Sequence, residues 1–130
     1  MKAAILALFL AVPAHAATLC KGVVATPSGA TSPIELEITW KGTSGDALVK
    51  ISVDGKSGSE DVLFQHDGHE TRCGPVSNDR AMVVLDHGLY SYYVDFYSSI
   101  GCGFSTHGTY LSDTMESGPN HGVKLDCQEI

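Results

Sequence analysis

The stretch Ile34-Glu35-Leu36-Glu37-Ile38-Thr39-Trp40 places an apolar residue at every even position and a polar one at every odd position. A period of two marks a strand with one face buried and one in water, because successive side chains leave an extended chain on opposite sides. Ala47, Val49, Ile51 and Val53 repeat the pattern around Lys50 and Ser52, and Asp54-Gly55 then supplies the residue types of a tight hairpin turn. Working outward, the same reading predicts strands over Lys21–Thr26, Glu60–Gln65, Arg80–Leu85, Leu89–Tyr97, Phe104–Leu111 and Gly122–Cys127, with Asp86-His87-Gly88 as another turn. Two polar stretches, His66–Asp79 and Ser112–His121, read as loops. Beyond residue 16 no segment repeats its apolar residues at helical spacing. Seven or eight short strands with turn signals every ~8–12 residues predict an all-β domain, a small antiparallel sandwich or barrel.

Ahead of this domain stands Met-Lys-Ala-Ala-Ile-Leu-Ala-Leu-Phe-Leu-Ala-Val-Pro-Ala-His-Ala, residues 1–16. Lys2 forms a positive start, Ala3–Val12 an apolar run, and Ala14-His15-Ala16 an A-x-A cleavage pattern preceded by Pro13. That is the grammar of a secretory signal peptide, with cleavage expected after Ala16 and a single secreted β domain over 17–130. Leu19 stands where a lipoprotein signal needs a small residue, so no lipid anchor on Cys20 is expected. The localisation expected is secreted and extracellular, with no membrane insertion.

Export sets the meaning of the four cysteines, Cys20, Cys73, Cys102 and Cys127. An even number in an oxidising compartment predicts two disulfides, and the wide spacing argues against zinc-ribbon or thioredoxin-like use. Four cysteines allow three pairings. The one favoured ties the termini through Cys20–Cys127 and closes an internal loop through Cys73–Cys102.

The whole chain carries eight Lys+Arg against fifteen Asp+Glu, a net charge of −7. Removing the leader takes Lys2 with it, and between Ser57 and Val123 only Arg72 and Arg80 offset nine acidic residues. Such an acidic surface repels phosphate backbones, so nucleic-acid binding is not expected. No N-x-S/T sequon, G-x-S-x-G elbow or phosphate-cradling Gly-rich loop is present, and no cofactor is expected. Binding is a better expectation than catalysis, with an extracellular protein or glycan as partner and the protein itself a monomer.

Two clusters could carry that binding. In Leu89-Tyr90-Ser91-Tyr92-Tyr93-Val94-Asp95-Phe96-Tyr97, the alternation that sends Tyr90, Tyr92, Val94 and Phe96 to the core leaves Tyr93, Asp95 and Tyr97 on the opposite face. Two tyrosines flanking a carboxylate could stack on a sugar or anchor a protein, since Tyr offers large contact area with few rotors. The other is His66-Asp67-Gly68-His69, a turn in this reading, where two imidazoles could hold a transition metal with His121 or His107 as third ligand. Glu35 and Glu37 project from one strand face at a separation glycosidases use, but read as solvated. Asp54, Glu60 and Asp61 lack the spacing of a calcium loop.

Asn78-Asp79-Arg80-Ala81-Met82-Val83-Val84, followed by Thr106-His107-Gly108, resembles the Asp-Arg-hydrophobic and His segments of small secreted guanyl-specific ribonucleases. That resemblance implies Glu70 as base, Arg80 as phosphate clamp and His107 as acid. The layout as a whole, with its leader, a cysteine near each end of the mature chain and an all-β pattern, resembles small cysteine-containing secreted fungal proteins, many of them candidate effectors and virulence factors. It implies action on a host or other extracellular target.

Overall fold

A computed structural model describes residues 16–130, so the expected leader lies, but for Ala16, outside the described residues. The described chain forms nine strands: β1 (Ala17–Ala25), β2 (Thr31–Trp40), β3 (Asp46–Val53), β4 (Lys56–Leu63), β5 (Gln65–Thr71), β6 (Gly74–Leu85), β7 (Tyr90–Gly101), β8 (Phe104–Asp113) and β9 (Val123–Glu129). They make one antiparallel sheet in the order β4-β3-β2-β1-β9-β8-β7-β6-β5, curled as a half-barrel. Two hairpin meanders are thus joined by pairing of the first strand with the last.

The predicted alternation is what buries one face. Ile34, Leu36 and Ile38 on β2 face Val53, Ile51 and Val49 on β3, and all six are buried. Val83, Val94, Leu111 and Leu125 continue the core across β6–β9. The β3–β4 hairpin turns at Asp54-Gly55, both residues at positive φ, as two-residue turns between twisted strands require. At the lower end Trp40, Phe64 and Phe96 close the barrel, with ring centroids 4.9–5.6 Å apart. Phe64 also marks a hand-over: the run before it pairs with β3, and the run after it pairs with β6. Above that point β4 and β6 meet along an incompletely paired seam, where the Glu60 carboxylate accepts the Val84 N–H at 2.8 Å.

Both favoured disulfides are present. Cys20–Cys127 joins directly opposed residues of β1 and β9, running from the buried Cys20 to the exposed Cys127. Cys73–Cys102 links the β5–β6 and β7–β8 turns. The tips meet backbone to backbone there, since a Cβ on Gly101 would coincide with the Cys73 carbonyl and one on Gly74 would strike that of Ile100.

One expectation fails here. His66–Asp79 is not a loop: most of it is strand β5 and the first half of β6, paired from Gln65↔Arg80 to Thr71↔Gly74. Every residue of β5 is exposed, so it has no buried face to betray it in the sequence. Together with the lower halves of β6, β7 and β8 it forms a ribbon that projects below the barrel core.

Candidate functional site

Strand β7 divides its side chains as its alternation predicts. Tyr90, Tyr92 and Val94 are buried inside the barrel, while Tyr93, Asp95 and Tyr97 lie on the outer face. Register then brings neighbours to that face: Asp95 stands between Arg80 on β6 and Tyr110 on β8, and Tyr93 is opposite Met82. Arg80 Nε donates to Asp95 Oδ1 at 2.7 Å and Nη2 to Oδ2 at 3.3 Å. The same guanidinium lies over the Tyr93 ring, with Cζ 4.7 Å from its centroid. Hydrogen bonding to Asp95 pushes the Arg80 pKa above its already high ordinary value. Asp95 is accordingly 12% exposed and its charge is answered, whereas Arg80 remains half in solvent. The carboxylate positions the arginine, which lies with the tyrosine rings on the outer face of the sheet.

Below this pair Tyr97 and Tyr110 meet edge-on, centroids 6.4 Å apart. The Tyr110 ring reaches over Gly108, the residue opposite Tyr97, and fills the space its missing side chain leaves. Met82 and Leu63, each 51% exposed, flank the other end of the patch. An open cleft at the seam, lined in part by Leu63, Arg80, Met82 and Tyr93, runs into it. Arg80 and Tyr110 complete the face that β7 alone announces, and only register could have found them.

The histidines are not gathered. His66 and His69 are three apart on a strand and therefore point to opposite faces of β5, which corrects the expectation of a turn that would converge them. His66 Nδ1 is instead 2.7 Å from Asp79 Oδ1. His121 follows Asn120, which bonds to Ala25 at the upper end of β1, whereas His66 lies near Trp40 and Phe64 at the lower end. Among the described residues no group of three or more His, Cys, Asp or Glu is placed to hold a metal.

The ribonuclease-like set is also divided. Arg80 is on the outer face with Asp95, while Glu70 and His107 fall on the opposite face by the alternation of β5 and β8. The remaining carboxylates are engaged separately. Glu35 pairs with Lys21 at 3.8 Å, Glu37 lies opposite Lys50, Asp61 pairs with Lys41, and Asp54 accepts the Tyr90 hydroxyl at 2.7 Å.

No helix among the described residues is long and apolar enough to cross a membrane. Searches against protein-family models, curated proteins and solved structures find no match for this chain.

Proposed function

We propose that the protein is exported through its leader and acts outside the cell as an effector-like binding protein, engaging a host or surface protein through the outer face of β6–β8. Tyr93, Asp95 and Tyr97 are its centre, with Arg80, Tyr110 and Met82 around them. The observation that carries this reading is the Arg80 guanidinium, held by Asp95 and laid on Tyr93 beside an exposed Met and two further tyrosines. Tyr, Arg and Met are the residue types enriched in the energetic centres of protein interfaces. The sheet beneath them is cross-linked and packed, so little freedom is lost on binding.

A protein partner fits this face better than a glycan. Sugar rings stack on exposed, open aromatic faces, but one face of Tyr93 is covered by Arg80, and Tyr97 and Tyr110 meet at 72°. The test is binding of the labelled protein to arrayed extracellular domains and glycans, repeated with the Tyr93→Ala/Tyr97→Ala double variant. The wild type is expected to select a protein target, and the variant to lose about 100-fold or more in affinity, the scale of two hot-spot truncations. Its melting temperature should fall far less than that of a core variant. Undiminished binding by the folded variant would overturn the surface, and selection of a glycan would overturn the partner class.

A further inference from the structure

At the other end of the molecule the barrel mouth is open. A cleft of about 310 Å³ sits there, between the β6–β7 turn, the end of β1 and the 114–120 loop. That volume lies at the small end of the range of ligand pockets, ~300–1,000 Å³. Its walls are held in place. Thr114 N–H donates to the Ser91 carbonyl at 3.2 Å, Leu89 N–H to that of Asp86 at 3.1 Å, and Asp113 N–H to that of Asn120 at 3.0 Å.

The chemistry of the lining is one-sided. Leu89 and Met115 are 54% and 65% exposed and provide apolar sides, with the buried Tyr90 and Tyr92 beneath. The Tyr90 hydroxyl is committed to Asp54, whereas that of Tyr92 makes no hydrogen bond to any described residue. Asp113, directly opposite Tyr92 on β8, is the sole charged residue among those lining the cleft, and no Lys, Arg or His joins it. An anion would meet the Asp113 carboxylate and no basic side chain to answer its charge. A cation would find that carboxylate, a phenolic oxygen to accept a hydrogen bond and aromatic rings whose faces are negative.

We propose that this cleft binds a small organic ammonium ion, its apolar body between Leu89 and Met115 and its charged head against Asp113 and the Tyr92 hydroxyl. The site is separate from the outer tyrosine face and does not depend on it.

The experiment uses charge-reversed twins of one shape, 2-phenylethylammonium and 2-phenylacetate, titrated into the mature protein and followed by amide chemical shifts. The ammonium is expected to saturate shifts at Leu89–Tyr92 and Thr114–Asn120, with phenylacetate at least about tenfold weaker, the worth of one charge-assisted contact. Asp113 also receives Asn120 N–H at 2.9 Å, so Asp113→Asn could disturb the loop. The rim variant Leu89→Lys, at an exposed position, tests the same charge without touching the fold. It should weaken the ammonium and strengthen the carboxylate. Equal binding of the twins, shifts confined to Tyr93 and Tyr97, or no saturation of either ligand would overturn the proposal.

Discussion

The barrel and the ribbon beneath it are built from the same kind of strand and each carries one disulfide, yet they are held together differently. In the barrel, the Cys20 half of the Cys20–Cys127 bridge belongs to a continuous apolar core in which Leu36, Ile38, Val49 and Leu111 are wholly enclosed. In the ribbon, β5 is exposed along its whole length, and Ile100 and Phe104 at the stapled tip are 58% and 77% exposed. Backbone pairing, the His66–Asp79 contact and Cys73–Cys102 do there what burial does above. Apolar burial contributes ~25 cal/mol per Å², so the barrel gains stability from every strand it adds. The ribbon gains little by that route and depends on its cross-link.

The largest expected effect comes from cutting the two cross-links separately. The cysteines of the barrel bridge are 107 residues apart and those of the ribbon bridge 29. Chain entropy alone then assigns about 4–5 kcal/mol to the first and about 3–4 to the second. The locations sharpen the contrast. Cys20→Ala/Cys127→Ala also leaves a gap in the core and releases the pairing that joins the two meanders, so global unfolding in urea should shift by the full amount. Cys73→Ala/Cys102→Ala should instead open the ribbon locally. Hydrogen exchange would accelerate over 66–71 and 98–106, with barrel amides retaining their protection. Uniform acceleration in both regions would show a single cooperative unit and break the comparison.

The same contrast decides what could be read in advance. β2, β3 and the upper half of β7 were legible because each has one apolar face, and apolar spacing is what sequence displays. Gln65-His66-Asp67-Gly68-His69-Glu70-Thr71 has no apolar residue, so nothing in it distinguishes a strand from a loop. It is a strand because β6 offers it a partner, a long-range fact. Tyr93, Asp95 and Tyr97 could be placed on one face from β7 alone. That Arg80 and Tyr110 flank Asp95 depends on register, which the turns and the core set jointly and no single segment carries. The histidine expectation failed for the same reason: with β5 extended, His66 and His69 diverge.

A second effect tests how the barrel manages where its strands separate. β9 pairs with β1 only from Thr18 to Lys21, so farther up the backbone of Ala25 needs another partner. Asn120 supplies one. Its Oδ1 accepts the Ala25 N–H at 2.7 Å and its Nδ2 donates to the Ala25 carbonyl at 2.8 Å, the side-chain amide taking the place of a strand. Asn120 is 4% exposed, so truncation leaves both groups short of partners where water has poor access. Asn120→Ala should cost about 2–3 kcal/mol, read from the urea midpoint. Asn120→Asp should fare no better, since it loses the donor and sets a second carboxylate beside Asp113. A cost near zero for either variant would show that the mouth does not need this closure.

The smallest effect concerns pH and again separates the regions, because its source lies inside the barrel. Burial, reinforced by the nearby Asp113 carboxylate, pushes the Tyr92 phenol up to about 12 from an ordinary value of 10.0. The Tyr90 phenol is raised as well, first because its hydroxyl donates to Asp54. A raised phenol favours the neutral form in the folded state. The stability it contributes is therefore fully present below pH 10 and is lost as pH climbs towards 12, where the unfolded chain ionises first. Urea midpoints measured across that window should fall steadily in the wild type. Tyr92→Phe should flatten the decline while leaving the midpoint at neutral pH nearly unchanged, since the Tyr92 hydroxyl bonds to no described residue. The slope that remains belongs in part to Tyr90, and Tyr90→Phe in the same background should reduce it further. An alkaline slope untouched by both substitutions would place the sensitive groups outside the barrel mouth.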